Sequence, residues 1–235
     1  MITLDDRTHR YRYSSIYTDI YRVSRCEESS YPSITLSIWS KIFLLGNQST
    51  SIFLNTFTEN SIMRMILPYF SDVPIFMIPI FLISNWIYAT IQWESKIKEA
   101  LLMIFYADIL AGSIAILIQQ FLYVERPLAF LQGRGMYILS HIPDNSFPSD
   151  HATIGTAFLV GLFLFGYKKS FYYLLPFFVL MFLARIIWGV HYPLDILWGI
   201  AVGILSGYIV YIVRDTVLCR KINQVIIKLM KKIYL

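Results

Sequence analysis

The stretch FYYLLPFFVLMFLARIIWGVHYPLDILWGIAVGILSGYIVYIV, residues 171–213, decides the architecture. Two apolar runs, Phe171–Trp188 and Pro193–Val213, flank the short link 189–192, and Arg185 and Asp195 are the only acidic or basic side chains besides His191. A helix crosses about 30 Å of hydrocarbon with roughly 17–25 residues. Both runs fall in that range, so they read as two antiparallel membrane helices joined by a tight turn.

Working outward, the same reading applies three more times. His151–Tyr167 is apolar but short, so it is expected to start earlier, to tilt, or to lie where protein replaces lipid. Ala100–Phe121 is a full span that carries Asp108, a carboxylate that is costly at that depth and reads first as a packing residue rather than a reactive one. Val73–Trp93 is another, with Pro74 and Pro79 in its early turns, where a missing donor or a bend is tolerated. Ile34–Phe57 is broken by Lys41, Gly46, Asn47 and Gln48 and reads as two short interfacial pieces, although a sixth span is an alternative. The expected fold is an all-α polytopic membrane bundle of five spans. Its organisation is a polar to interfacial N-terminal extension over 1–60, a transmembrane domain over 61–215 and a basic tail over 216–235.

Composition agrees. The chain is 57% hydrophobic and 15% charged, against about 25% charged in soluble domains. The formal charge of +5 is concentrated near the end, where Arg214, Arg220, Lys221, Lys228, Lys231 and Lys232 face only Asp215. After an apolar run, such a tail is explained by cytoplasmic placement near anionic lipid rather than by nucleic acid. Residues 1–30, rich in Tyr, Arg and Ser, do not resemble a cleaved signal peptide. Cys26 and Cys219 show neither metal-ligand spacing nor a disulfide framework. If the Lys168–Lys169 turn and the tail are cytoplasmic, the 122–150 loop and the 189–192 turn share the opposite side. In the last helix Gly199, Gly203 and Gly207 repeat every four residues and form a stripe for close helix packing.

Reactive residue types gather on that one surface: Arg126 with Pro127, the run Pro148, Ser149, Asp150 and His151, then Arg185, and His191 with Asp195. His191 and Asp195 are four residues apart, so if the helix is already formed near Pro193 they share one face, where the carboxylate can accept a hydrogen bond from one ring nitrogen and leave the other to attack phosphorus. Arg126 and Arg185 supply bidentate cationic donors for a phosphoryl group. Ser149 and the amides opening the His151 helix add neutral donors where the helix dipole favours anions. His151 is placed to give a proton to the leaving oxygen. Taken singly, each arginine reads as a headgroup anchor and Ser149 with Asp150 as helix caps; together they read as an anion site. The pattern requires no metal; a zinc site built from two His and one Asp is the rival, and the neighbouring arginines oppose a cation there.

These motifs resemble the type 2 phosphatidic acid phosphatase superfamily, and its bacterial undecaprenyl-diphosphate phosphatase branch in particular. Arg126–Pro127 match its first motif, Pro148–His151 its second, and Arg185, His191 and Asp195 its third with both spacings intact. The strings FPSDHA (147–152) and GVHYPLD (189–195) look like that branch. The resemblance implies a nucleophile at His191, an orienting acid at Asp195, a leaving-group acid at His151, and phosphate contacts at Arg126, Ser149, the main chain of Asp150, and Arg185. It also implies a phosphohistidine intermediate, no cofactor, and a site on the periplasmic or external face of a bacterial inner membrane. The family's lysine seven residues before Arg126 is Gln119 here, which keeps a donor at the phosphate site without the charge, and Ala184 stands in for a serine.

The expected reaction is hydrolysis of undecaprenyl diphosphate to undecaprenyl phosphate and inorganic phosphate. Alternatives are a phosphatase of phosphatidylglycerophosphate, phosphatidate or lipid A, or an inactive membrane lipid-binding scaffold. The expected partners are an isoprenoid or glycerolipid phosphate and the surrounding membrane lipid. No pair of interrupted helices points to a midplane transport site.

Overall fold

The computed structural model describes residues 38–124, 126–127 and 145–232. The chain separates into two units, residues 1–42 and 43–235, and all side-chain contacts below lie in the second. Regular structure among the described residues is entirely helical. In chain order the helices are α1 Ile38–Asn55, α2 Ser61–Asp72, α3 Met77–Ile91, α4 Ser95–Phe121, α5 Asp150–Leu164, α6 Lys168–Ile187, α7 Pro193–Val213 and α8 Val217–Lys232.

Among the described residues, four runs are long and apolar enough to cross a membrane: Ser61–Ile91, Ser95–Phe121, Lys168–Ile187 and Pro193–Val213. The bundle is therefore all-helical and polytopic in character. The first run starts twelve residues earlier than the sequence pattern of Val73–Trp93 suggests. Asn60 caps it, its side-chain oxygen accepting from the amides of Ile62 at 2.9 Å and Met63 at 3.5 Å. The run changes to a 3-10 turn at Val73–Phe76, because Pro74 has no amide to continue the α-helical ladder. That break leaves Asp72 at the joint between α2 and α3.

Helix α1 also departs from expectation. It is one continuous helix rather than two interfacial pieces. Asn47 and Asn55 on it reach the far end of the chain: Asn55 Nδ2 donates to the Ile187 carbonyl at 3.1 Å, and Asn47 Oδ1 accepts from the Leu194 amide at 3.3 Å.

The centre of the bundle is α5, which packs against α7, α4 and α6. Its fifteen residues are too few to span lipid comfortably, but Ala152, Thr153, Ala157, Phe158 and Leu162 are fully buried, so protein surrounds it where lipid surrounds its neighbours. The glycine stripe of α7 faces it. A Cβ on Gly203 would stand 2.5 Å from the carbonyl oxygen of Thr153, and one on Gly199 2.8 Å from that of Ser149. The two backbones thus touch, and the starts of α5 and α7 are held together by the Ser149 amide donating to the Asp195 carbonyl at 3.2 Å. On the other side Phe158 packs with Phe81 and Phe178 at ring-centroid distances of 5.6 and 5.8 Å.

Asp108 is buried on α4, and neither of its carboxylate oxygens has a hydrogen-bond partner among the described residues. It lies three turns from Gln119, about 16 Å along the helix, and takes no part in the cluster described next.

Candidate active site

Three chain segments converge where α4, α5, α6 and α7 end. Asn145 fastens the first two: its Nδ2 donates to the carbonyls of Gln119 at 3.0 Å and Leu122 at 2.6 Å, and its Oδ1 accepts from the amides of Val124 at 3.0 Å and Phe147 at 3.1 Å. The Ser146 amide adds a bond to the Val124 carbonyl at 2.8 Å. The third segment, 188–192, folds back on α6, with the Val190 amide donating to the Arg185 carbonyl at 3.0 Å and Gly189 at φ +75° making the reversal. Arg126 closes the cluster. It is buried, and its guanidinium donates to the carbonyls of Val190 at 3.1 Å and Asn145 at 3.5 Å.

His191 is held at both ring nitrogens. Nδ1 lies 2.8 Å from the Ser146 carbonyl oxygen, and Nε2 lies 3.1 Å from Nη2 of Arg185. A carbonyl can only accept and a guanidinium can only donate. Nδ1 therefore carries the proton, and the Nε2 lone pair points at Arg185. Burial first, then the charges of Arg185 and Arg126, push the His191 pKa well below the usual histidine range. The ring is therefore held neutral, with its unprotonated nitrogen facing Arg185.

Asp195 takes part less directly than its spacing suggests. Its Oδ2 is 3.8 Å from His191 Nδ1, beyond hydrogen-bond reach. It accepts instead from the Ser146 hydroxyl at 2.5 Å and the Tyr192 amide at 2.8 Å. The carboxylate thus fixes the residue that receives the imidazole proton and caps the start of α7.

At the start of α5 the Ser149 hydroxyl is fully buried and has no hydrogen-bond partner among the described residues. Such a donor is costly to leave unmet and marks a place for an anionic oxygen. Gln119 does not aim into this space; its Nε2 donates to Asp150 Oδ1 at 2.7 Å and to the Pro148 carbonyl at 3.2 Å. His151 is buried, with Nε2 3.7 Å from Asp72 Oδ1. Arg185 is gripped from the α2 side, its Nη1 donating to Asp72 Oδ1 at 2.7 Å, to the Ser71 carbonyl at 3.2 Å and to the Ser71 hydroxyl at 3.3 Å. The predicted Arg126, Ser149, His151, Arg185, His191 and Asp195 are all drawn into this one buried cluster, with Asp150 at its edge.

Residues 97–218 match the PAP2 superfamily. The chain belongs to that superfamily. It is similar to the undecaprenyl-diphosphatase BcrC of Bacillus subtilis, 28% identical over 159 residues that cover 67% of this chain and 78% of that protein. The bacitracin transport permease protein BcrC of Bacillus licheniformis is likewise 28% identical, over 65% of this chain and 72% of its own length. A putative undecaprenyl-diphosphatase of Escherichia coli, YbjG, is 34% identical over 82 residues, 35% of this chain and 40% of its own. No solved structure matches the chain.

The PAP2 match begins downstream of α2, so it does not include Ser71 and Asp72. Those two, together with Asn145 and Ser146, are the site residues that sequence reading passed over. Ser146 adjoins the FPSDHA string and was within reach of a local reading. Asp72 carried only the weak signal of an acid next to Val-Pro at the head of an apolar run. Among the described residues no three His, Cys, Asp or Glu side chains are grouped as metal ligands.

Proposed function

We propose that this PAP2 protein hydrolyses undecaprenyl diphosphate to undecaprenyl phosphate and inorganic phosphate at the outer face of a bacterial inner membrane. The observation that carries the reading is the state of His191: a neutral ring with Nδ1–H bound to Ser146 and the Nε2 lone pair facing Arg185. A lipid of this class offers that lone pair an electrophilic terminal phosphorus whose oxygens carry the negative charge. Nε2 attacks it, the bond to the bridging oxygen breaks, and undecaprenyl phosphate leaves after taking a proton from His151. Water then gives a proton back to His151 and attacks the phosphohistidine, releasing orthophosphate and restoring His191. Arg126, Arg185, the Ser149 hydroxyl and the amides opening α5 would receive the equatorial oxygens, where charge gathers in the transition state. Similarity to the undecaprenyl-diphosphatase BcrC of Bacillus subtilis and to YbjG of Escherichia coli, a putative one, supports this lipid over phosphatidylglycerophosphate, phosphatidate or a lipid A phosphate.

The test is phosphate release by the purified full chain in detergent from a panel of these four lipids, with and without chelator. The expected result is fastest turnover of the diphosphate, loss of nearly all turnover in His191→Ala and His151→Ala, and no effect of chelation. Full activity in His191→Ala, or activity that depends on added zinc, overturns the mechanism. Sidedness is read by labelling single cysteines placed at Tyr123 and at Lys169, both exposed; the first is expected to react from outside the cell and the second only after permeabilisation.

A further inference from the structure

We infer that Asp72, upstream of the residues matched to the superfamily, is a positioning residue for both Arg185 and His151. The inference rests on the phosphoryl-transfer reading above. Asp72 is 4% exposed, and one atom, Oδ1, lies 2.7 Å from Arg185 Nη1 and 3.7 Å from His151 Nε2. With Ser71 it supplies three acceptors to a single guanidinium nitrogen. Because the guanidinium is planar and rigid, fixing Nη1 fixes the plane and the direction of Nη2, which faces the attacking nitrogen of His191.

Orientation alone does not account for a carboxylate here. A buried negative charge repels an incoming phosphate and costs solvation, and the two neutral oxygens of Ser71 already hold Nη1. What the charge adds is its effect on His151. A carboxylate this close favours the protonated imidazole, the form that can give a proton to the leaving oxygen. Among the described residues, the other charged or titratable groups around this space are Arg185 on α6, Arg126 and His191 on the flanking segments, Asp195 on α7, and Asp150 beside His151 on α5. The two arginines oppose a protonated ring, and the Asp72 carboxylate, 3.7 Å from Nε2, favours it. One side chain on α2 thus sets the clamp on the nucleophile side and the acid on the leaving-group side.

The test uses the full chain in detergent, with farnesyl diphosphate as substrate and orthophosphate as inhibitor. Asp72→Asn keeps the shape and removes the charge. Expected are a fall in kcat of roughly 10- to 100-fold, a shift of the alkaline limb of the kcat–pH profile to lower pH, and orthophosphate inhibition as tight as in wild type or tighter, since the site gains net positive charge. A purely structural role instead weakens orthophosphate in step with kcat; that result, or an unmoved alkaline limb, overturns the inference. If Asp72→Asn does not fold, Ser71→Ala carries the test, because it removes a hydroxyl that donates to Asp72 at 3.3 Å and accepts from Arg185. Reduced kcat with unweakened orthophosphate supports the inference there, and wild-type kcat defeats it. If wild type and His191→Ala release phosphate equally slowly, the phosphoryl-transfer reading fails and this inference fails with it; an active wild type with an indifferent Asp72→Asn defeats the inference alone.

Discussion

The carbonyl oxygen of Ser146 accepts the Nδ1 proton of His191 at 2.8 Å, and the Ser146 hydroxyl reaches Asp195. The acid and the imidazole are therefore joined through a third residue. Removing the hydroxyl in Ser146→Ala leaves a buried carboxylate oxygen short of a donor, a loss of about 1–3 kcal/mol, while the carbonyl stays in place. Turnover in Ser146→Ala is expected to fall about tenfold, and in Asp195→Asn further, as measured by phosphate release. Wild-type turnover in Asp195→Asn would contradict the relay.

The second prediction concerns pH. Burial and two arginine charges disfavour the imidazolium form of His191, so the ring stays neutral as pH falls past the ordinary value of 6.5. The acid limb of kcat/KM is expected below that value. Arg126→Gln removes one of the opposing charges, so its acid limb should move upward. A limb at or above 6.5 in wild type would argue against a buried neutral nucleophile.

Gln119 stands where the motif resemblance implies a lysine, and its amide donates to Asp150 at 2.7 Å. A lysine there can form an ion pair with the same carboxylate or turn toward the phosphate. Gln119→Lys is expected to change KM or the preference among lipid phosphates by several-fold while activity persists. Complete inactivity of a folded Gln119→Lys protein would show that the position does more than orient α5.

The glycine contacts yield a stability contrast. Gly203→Val would push side-chain atoms into the backbone of Thr153 and the Cβ of Thr156, at 2.5 and 2.7 Å from the first added carbon. Overpacking of this kind costs about 1–3 kcal/mol or more, so the melting temperature in detergent should drop. Gly112 has nothing nearer than Ile154 Cδ1 at 3.6 Å; Gly112→Ala should be neutral or stabilising by up to about 1 kcal/mol from helix propensity. Equal melting temperatures for the two variants would show that α5 and α7 are not in backbone contact.

What could be read from the chain was local. Apolar run length gave the helices, the four-residue glycine repeat gave a packed face, and the helix-turn spacing of His191 and Asp195 brought both to one site. Spacing did not give the geometry within that site, because a separation of four residues is equally compatible with a direct bond and with the Ser146 bridge. Contacts between distant residues left no local trace. Asp72 meets Arg185 across 113 positions and Asn55 meets Ile187 across 132, and no periodicity links such pairs. The same reason explains why α1, with its polar residues spaced through an apolar run, read as two fragments: Asn47 and Asn55 are there to bond to the end of α6 and the start of α7.

The touching backbones of α5 and α7 have a further consequence. Where Gly199 and Gly203 bring the two backbones into contact, a long hydrocarbon chain has no passage between α5 and α7. It must lie against some other wall of the bundle. On the proposed function, the groups that act on the phosphate and the surface that holds the tail are then separate parts of the bundle.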